Sequence, residues 1–410
     1  MRSRALAGGW VLSVLGALLP GCGREEPGSV KVAVAAPLAE LGLMADARQA
    51  WQLVVDQIND AGGINQQMLE VYERDTPLSD ATDLQPVADG FVDLTSEGYK
   101  YIISLVSGAA LEPMMNAAMP RGVLTMSITS EESAVDFPSY DGMLLRGILP
   151  TDRLIQKQAL AMQRDGLTSV AIVGETILGA LEPRHAAMHD AYAECLTCTV
   201  TSVTYPADAD LYRYDWASVG SEVASGAPDV VFLASANPSA LLDTIHWIER
   251  AGYTGLYYFA YGAYMATLLP AMPASKVPER FRSYDLALPP SDRLEHFLSE
   301  YESRYGGSFL PEPRLVAFAD YLALLALAMT RVGNDDPHLV ATVMKELAGP
   351  PGETYGAMDY AAAAAAVRAG RDIDFVGLSG PLDFDERGEV SDGFAQQYRL
   401  SASGDVIPLP

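Results

Sequence analysis

The chain has 410 residues, 49% of them hydrophobic and 20% charged, which is more than one hydrophobic core usually serves and so predicts two domains. Its 27 basic and 53 acidic residues give a formal charge of −26, which argues against nucleic-acid binding and against a polybasic contact with anionic lipids. Solubility alone accounts for such an acidic balance, and no ligand charge is read from it.

The first element is an export signal. Arg2 and Arg4 precede an apolar run, Trp10 to Leu19, too short for a bilayer span and in the usual order of a signal peptide. The run closes on Leu19-Pro20-Gly21-Cys22, which resembles a bacterial lipobox, where the cysteine is acylated and becomes the first residue of the mature chain. The resemblance implies a signal over 1–21, an anchor and linker over 22–29, and a body held outside the cytoplasm on the inner or outer membrane. No later stretch reads as long and apolar enough to cross a bilayer. With Cys22 assigned to lipid, Cys195 and Cys198 remain, and they could close a small structural disulfide where a helix gives way to a strand.

From Lys31 strands and helices alternate. Val30 to Ala35 reads as a buried strand, and Ala47, Trp51, Val54, Val55 and Ile58 then recur at helical spacing up to Gly62-Gly63. A strand over Leu69 to Tyr72 is followed by a helix marked by Val87, Phe91 and Leu94, with Asp83 as its cap and Pro86 in its first turn. Strands at Tyr101–Val106 and Val123–Met126 flank a short helix after Gly108. The pattern restarts after Pro150-Thr151-Asp152 with a helix to Arg164, strands at Val170–Val173, Thr199–Tyr205, Val230–Ala234 and Leu256–Tyr261, and helices at Leu181–Glu194 and Ser239–Ala251. Such repetition predicts mostly parallel sheets with helices on both faces. The remainder reads as helices over Arg293–Tyr305, Leu315–Arg331 and Pro337–Leu347, then late strands near Leu378–Asp385 and Phe394–Leu400. The alanine run Ala361–Ala366, after the turn Gly349–Gly352, reads as part of a surface insertion over about 349–370.

Ile58-Asn59 with Gly62-Gly63-Ile64, Leu69, Asp75, Tyr101-Ile102-Ile103 and Ser107-Gly108 resembles the opening lobe of type I periplasmic solute-binding proteins, the branched-chain amino-acid-binding group of ABC importers. Phe297 to Gly306, then Ala317, Tyr321, Leu324 and Ala328, and Gly380-Pro381-Leu382 with Phe384-Asp385 and Gly388, are similar to the same group. The resemblance implies an α/β fold of two Rossmann-like lobes with parallel central sheets flanked by helices and three hinge crossings. Lobe 1 would take 30–147 and 281–377, lobe 2 would take 148–280, and 378–410 would form the last hinge and return to lobe 2. Such a body closes on a small ligand and hands it to an ABC permease, with no cofactor, no metal and no turnover.

The same resemblance implies the site residues. On the first lobe these are Leu43, the loop Ser107-Gly108-Ala109, and the loop carrying Ser127, Thr129, Ser130 and Glu131; on the second they are Leu178, Asn237, Tyr261 and Tyr264. The family's amino-acid readers place aromatics where Leu43, Leu178 and Ala236 stand and an acid where Ala263 stands, so a less polar solute, or one without an α-ammonium, is expected unless Glu131 replaces the acid. Of the clustered aromatics Tyr257, Tyr258, Phe259, Tyr261 and Tyr264, the last two are expected near the cleft and the others in packing. Some outer-membrane lipoproteins with this body resemble scaffolds that activate cell-wall synthases, and the altered cleft positions suit that alternative. His185 and His189 stand four apart on a helix, but Ala186 occupies the place a metalloprotease gives to glutamate, so a solvent-facing helix is the reading.

Overall fold

A computed structural model describes residues 28–36, 44–76, 85–106, 110–129, 140–177, 180–207, 213–272, 276–307, 309, 312–401 and 403–409. The first body is a five-stranded parallel sheet. Its strands are β1 (Val30–Ala36), β2 (Leu69–Asp75), β3 (Tyr101–Ser104), β4 (Leu124–Ser127) and β5 (Leu144–Arg146), in the order β2-β1-β3-β4-β5. Helices α1 (Met44–Asp60), α2 (Gln85–Ser96) and α3 (Leu111–Ala118) connect the first four. After α1, Asn59 fixes the turn into β2, because its amide donates to Leu69 O at 3.1 Å and accepts from Leu69 N–H at 2.8 Å. Asp83, expected to cap α2, lies outside the described residues.

The chain then passes to a second sheet through α4 (Thr151–Arg164). Strands β6 (Ser169–Ile177), β7 (Ala180–Leu181), β8 (Thr199–Pro206), β9 (Val230–Ala234), β10 (Leu256–Phe259) and β11 (Phe281–Leu286) follow, with helices α5 (Pro183–Ala193), α6 (Trp216–Ser225), α7 (Pro238–Arg250) and α8 (Ala263–Thr267) between them. Strands β6, β8, β9, β10 and β11 pair in parallel, with β6 between β8 and β9. One face packs on α6 and α7 through Trp216, Val219, Leu241 and Ile245, the other on α4 and α5 through Ile155, Met162, Met188 and Tyr192.

A second pass returns the chain to the first sheet as α9 (Asp292–Tyr305), α10 (Pro313–Val332), α11 (Pro337–Ala348) and α12 (Tyr360–Arg368). These accompany a small sheet of β12 (Glu353–Tyr355), β13 (Ile373–Gly377) and β14 (Gly380–Pro381). A third pass adds β15 (Ala395–Leu400) antiparallel to β11, and β16 (Val406–Pro408) beyond it. The architecture is therefore two helix-flanked, mainly parallel sheets joined by three crossings.

Two expectations change here. Helix α10 is by length and composition apolar enough to span a bilayer, contrary to the sequence reading, yet nearly all of it is buried; it is the core helix of the first body, packed on α1, α11 and α12. Each large apolar side chain it buries, Phe318, Leu322, Leu324 and Leu325 among them, stabilises the body by about 1.5–3 kcal/mol. The alanine run is not a surface insertion: it forms α12, and Ala363, Ala364 and Ala366 are fully buried against α10. Small side chains there let two helices approach closely, which composition alone does not reveal.

Candidate functional site

The first crossing leaves the carboxyl end of β5 at Arg146 and the second leaves the carboxyl end of β11 at Leu286. Both sheets therefore turn their carboxyl edges, the ends of β3, β4, β6, β9 and β10 among them, toward the crossings, where α/β proteins hold their ligands. One hollow, of about 370 Å³ beside Leu167, Asp229 and Gly255, lies at the opposite, amino-terminal edge of the second sheet. The chemistry and the concave surface disagree there, and strand polarity decides for the carboxyl edge.

On the first body, Ser127 ends β4 with its hydroxyl 2.9 Å from that of Thr129, and Thr129 N–H reaches Ser127 Oγ at 3.4 Å. Both are buried, and Ser127 O accepts from the hydroxyl of Tyr321 at 3.2 Å. One strand away, Ser104 Oγ accepts from Val106 N–H at 3.0 Å. The expected contacts Leu43, Ser107, Gly108, Ala109, Ser130 and Glu131 lie outside the described residues, as do Leu178 on the second body and Cys22.

The second body brings together Asn237, Tyr261 and Tyr264, with companions that sequence reasoning missed. Asn237 caps α7, its side-chain oxygen accepting from Ser239 N–H at 3.0 Å and Ala240 N–H at 3.3 Å, so that oxygen serves the helix. Tyr264 donates to Ala236 O at 2.8 Å, and its ring lies 5.9 Å from that of Tyr261. Tyr261 donates to Glu182 at 3.1 Å, and the guanidinium of Arg184 lies 3.8 Å from its ring centroid. Glu182 also caps α5, accepting from His185 N–H at 3.0 Å, and is 3.3 Å from Arg184. Nearby, buried Glu175 accepts from Ala236 N–H at 3.0 Å. Tyr257, Tyr258 and Phe259 are buried in packing.

Asp285 ends this wall on β11. Its carboxylate takes the N–H of Gly262 and the hydroxyl of Ser283, and a Cβ at position 262 would come 1.8 Å from Asp285 Oδ2, so any side chain there would push the carboxylate out of place. Burial raises its pKa, an effect opposed by those two donors and then by Arg314 and Arg184. Glu182-Pro183, an acidic cap before a first-turn proline, was a readable signal for the start of α5; nothing in the sequence pointed to Asp285, which meets Gly262 only through pairing of β11 with β10.

Away from the edge, Cys195 and Cys198 are joined, with Cα atoms 5.3 Å apart, between α5 and β8. The solvent-facing reading of the histidine pair is corrected: His185 is fully buried, and only His189 is exposed, 3.2 Å from Asp190. Among the described residues no group of three or more His, Cys, Asp or Glu side chains could hold a metal ion.

A family model described as periplasmic binding protein matches residues 29–387. No curated protein matches the chain. Among solved structures, an ABC transporter substrate-binding protein from Desulfitobacterium hafniense superposes with a TM-score of 0.69 at 17% identity, over 93% of this chain and 100% of that one. The leucine-binding protein LivK from Thermotoga maritima gives 0.64 at 16% identity, over 93% and 98%. A solute-binding protein of an ABC transporter from R. palustris, in complex with benzoate, gives 0.60 at 16% identity, over 93% and 96%. Likeness at this level of identity concerns the fold.

Proposed function

The chain belongs to the periplasmic binding protein family, and we propose that it is an extracytoplasmic, lipid-anchored receptor that closes on a small solute and delivers it to an ABC permease. The observation that supports this reading is that the carboxyl edges of both sheets adjoin the crossings. Only a ligand that touches both edges favours the closed form, and Ser127 with Thr129 on one side and Tyr261 with Tyr264 on the other supply such contacts. The ligand class is amino-acid-like or a less polar metabolite. Two proteins of the same fold, a leucine-binding protein and one in complex with benzoate, mark the two ends of that range.

A thermal-shift panel of leucine, isoleucine, benzoate, short carboxylates, amides and apolar metabolites tests the reading. A ligand at a hundred times its dissociation constant stabilises the fold by about 2.7 kcal/mol, a rise of a few degrees for lobes of this size. No shift with any compound, in protein first unfolded and refolded to strip carried solute, would sink it. The anchor is tested separately. Cys22→Ala is expected to move the protein from the membrane fraction to the soluble extracytoplasmic fraction, and retention of the variant on membranes would remove the lipid from the account.

A further inference from the structure

Behind the wall of Glu182 and Tyr261, two fully buried polar side chains have no hydrogen-bond partner. Gln158 on α4 has both amide atoms unsatisfied, and His185 on α5 has both ring nitrogens unsatisfied. Each belongs to its helix's inward stripe, Gln158 with Ile155, Ala159 and Met162, and His185 with Met188 and Tyr192. The helices lie side by side, and Gln163 Nε2 donates to Ala191 O at 3.3 Å, which fixes their relative height. Gln158 stands five residues before that contact and His185 six, which puts both at similar levels along their helices.

The sheet beneath them is bare. Gly174 of β6 pairs with Ala234 of β9, and Ala260, just past β10, donates its N–H to Leu233 O, so three neighbouring strands each place nothing larger than alanine at this level. A Cβ on Gly174 would come 2.8 Å from His185 Nδ1 and 2.6 Å from Ala234 O; the imidazole occupies the room a side chain would have taken. Four dry polar atoms in one layer would consume much of the net stability of a domain.

We infer that Gln158 and His185 form an internal site for a small neutral guest that both donates and accepts hydrogen bonds: a water molecule, or the hydroxyl or amide end of a captured solute. The two side chains bring no charge to balance an ion. Burial, with a smaller contribution from His189, holds the imidazole neutral by pushing its pKa down to about 4. A neutral imidazole offers one donor and one acceptor, and the amide adds both kinds. The site stands one layer behind the crevice, since His185 N–H and the hydroxyl of Tyr261 share the carboxylate of Glu182.

Crystals of the protein as purified, and of protein unfolded in guanidinium and refolded, separate the two sources. A compact density peak within hydrogen-bonding distance of both side chains in both preparations identifies water, and elongated density confined to the first identifies a solute end; either supports the site. Empty space there, or the Gln158 amide bonded directly to the imidazole, overturns it. In solution, nitrogen NMR of the wild-type protein is expected to show His185 in a single neutral tautomer with both nitrogens hydrogen-bonded. Gln158→Met, which removes one partner of the guest, is expected to shift those resonances and leave His189 unchanged. Unshifted His185 resonances in a folded variant overturn the inference. Neither readout depends on delivery of a solute, so failure here leaves the proposed function standing and failure of the ligand panel leaves this site standing.

Discussion

Asp320 lies fully buried on α10 and accepts from Leu378 N–H at 2.7 Å, Ser379 N–H at 2.9 Å and the Ser379 hydroxyl at 2.7 Å. Burial outweighs those donors and pushes its pKa up to about 6 from 3.8. An acid whose folded value is raised binds its proton more tightly when folded, so its contribution to stability falls as pH rises through that interval. Asp320→Asn abolishes the titration but turns an amide donor toward donors, at a cost of about 1–3 kcal/mol. In urea unfolding the deficit of the variant is expected to be largest near pH 4 and to narrow by pH 7; a deficit constant with pH would refute the assignment. Residues of this kind were only half legible. Tyr261 and Tyr264 could be placed at a strand end from spacing, whereas Glu182, Asp285 and His185 acquire their roles from elements distant in sequence.

The buried pair Arg146–Glu389, 2.8 Å apart, joins two of the crossings: Arg146 ends β5, and Glu389 lies on the segment leading to β15. Backbone bonds reinforce it, Arg146 N–H to Gly388 O at 2.7 Å and Val390 N–H to Arg146 O at 3.1 Å, and Arg153 at the start of α4 pairs with Asp385 at 2.6 Å. Removing one member of a buried pair costs about 3–5 kcal/mol, because the other charge is left without its partner. Arg146→Met is therefore expected to destabilise strongly, somewhat relieved by Arg153, which stands 3.6 Å from Glu389. Arg146→Met with Glu389→Met should recover most of that loss in a double-mutant cycle, and additive losses would show that the pair is not coupled. Nothing in the sequence joined positions 146 and 389. The long helices and the buried strands β1, β6 and β9 were legible from periodicity, because each carries enough apolar positions to define a face. Strands β5, β7, β12 and β16 are two or three residues long, too short to carry a period.

At the scale of the molecule, the restart of β-α alternation after Pro150 announced the second body, and a resemblance supplied the three crossings that no local pattern could. Closure is a property of this scale. Small-angle scattering with a solute that passed the thermal-shift panel is expected to show the radius of gyration contracting toward the roughly 21 Å of a compact body of this length. An unchanged radius with a bound solute would mean that capture proceeds without closure.

Neither body is built from one continuous stretch: the first waits for α10, α11 and α12, and the second waits for β15 to cover β11. A nascent chain emerging residue by residue therefore cannot finish either half early, and a truncation before Ala395 would leave an open sheet edge ready to pair with another molecule. Assembly must therefore come late, after nearly the whole polypeptide has been made.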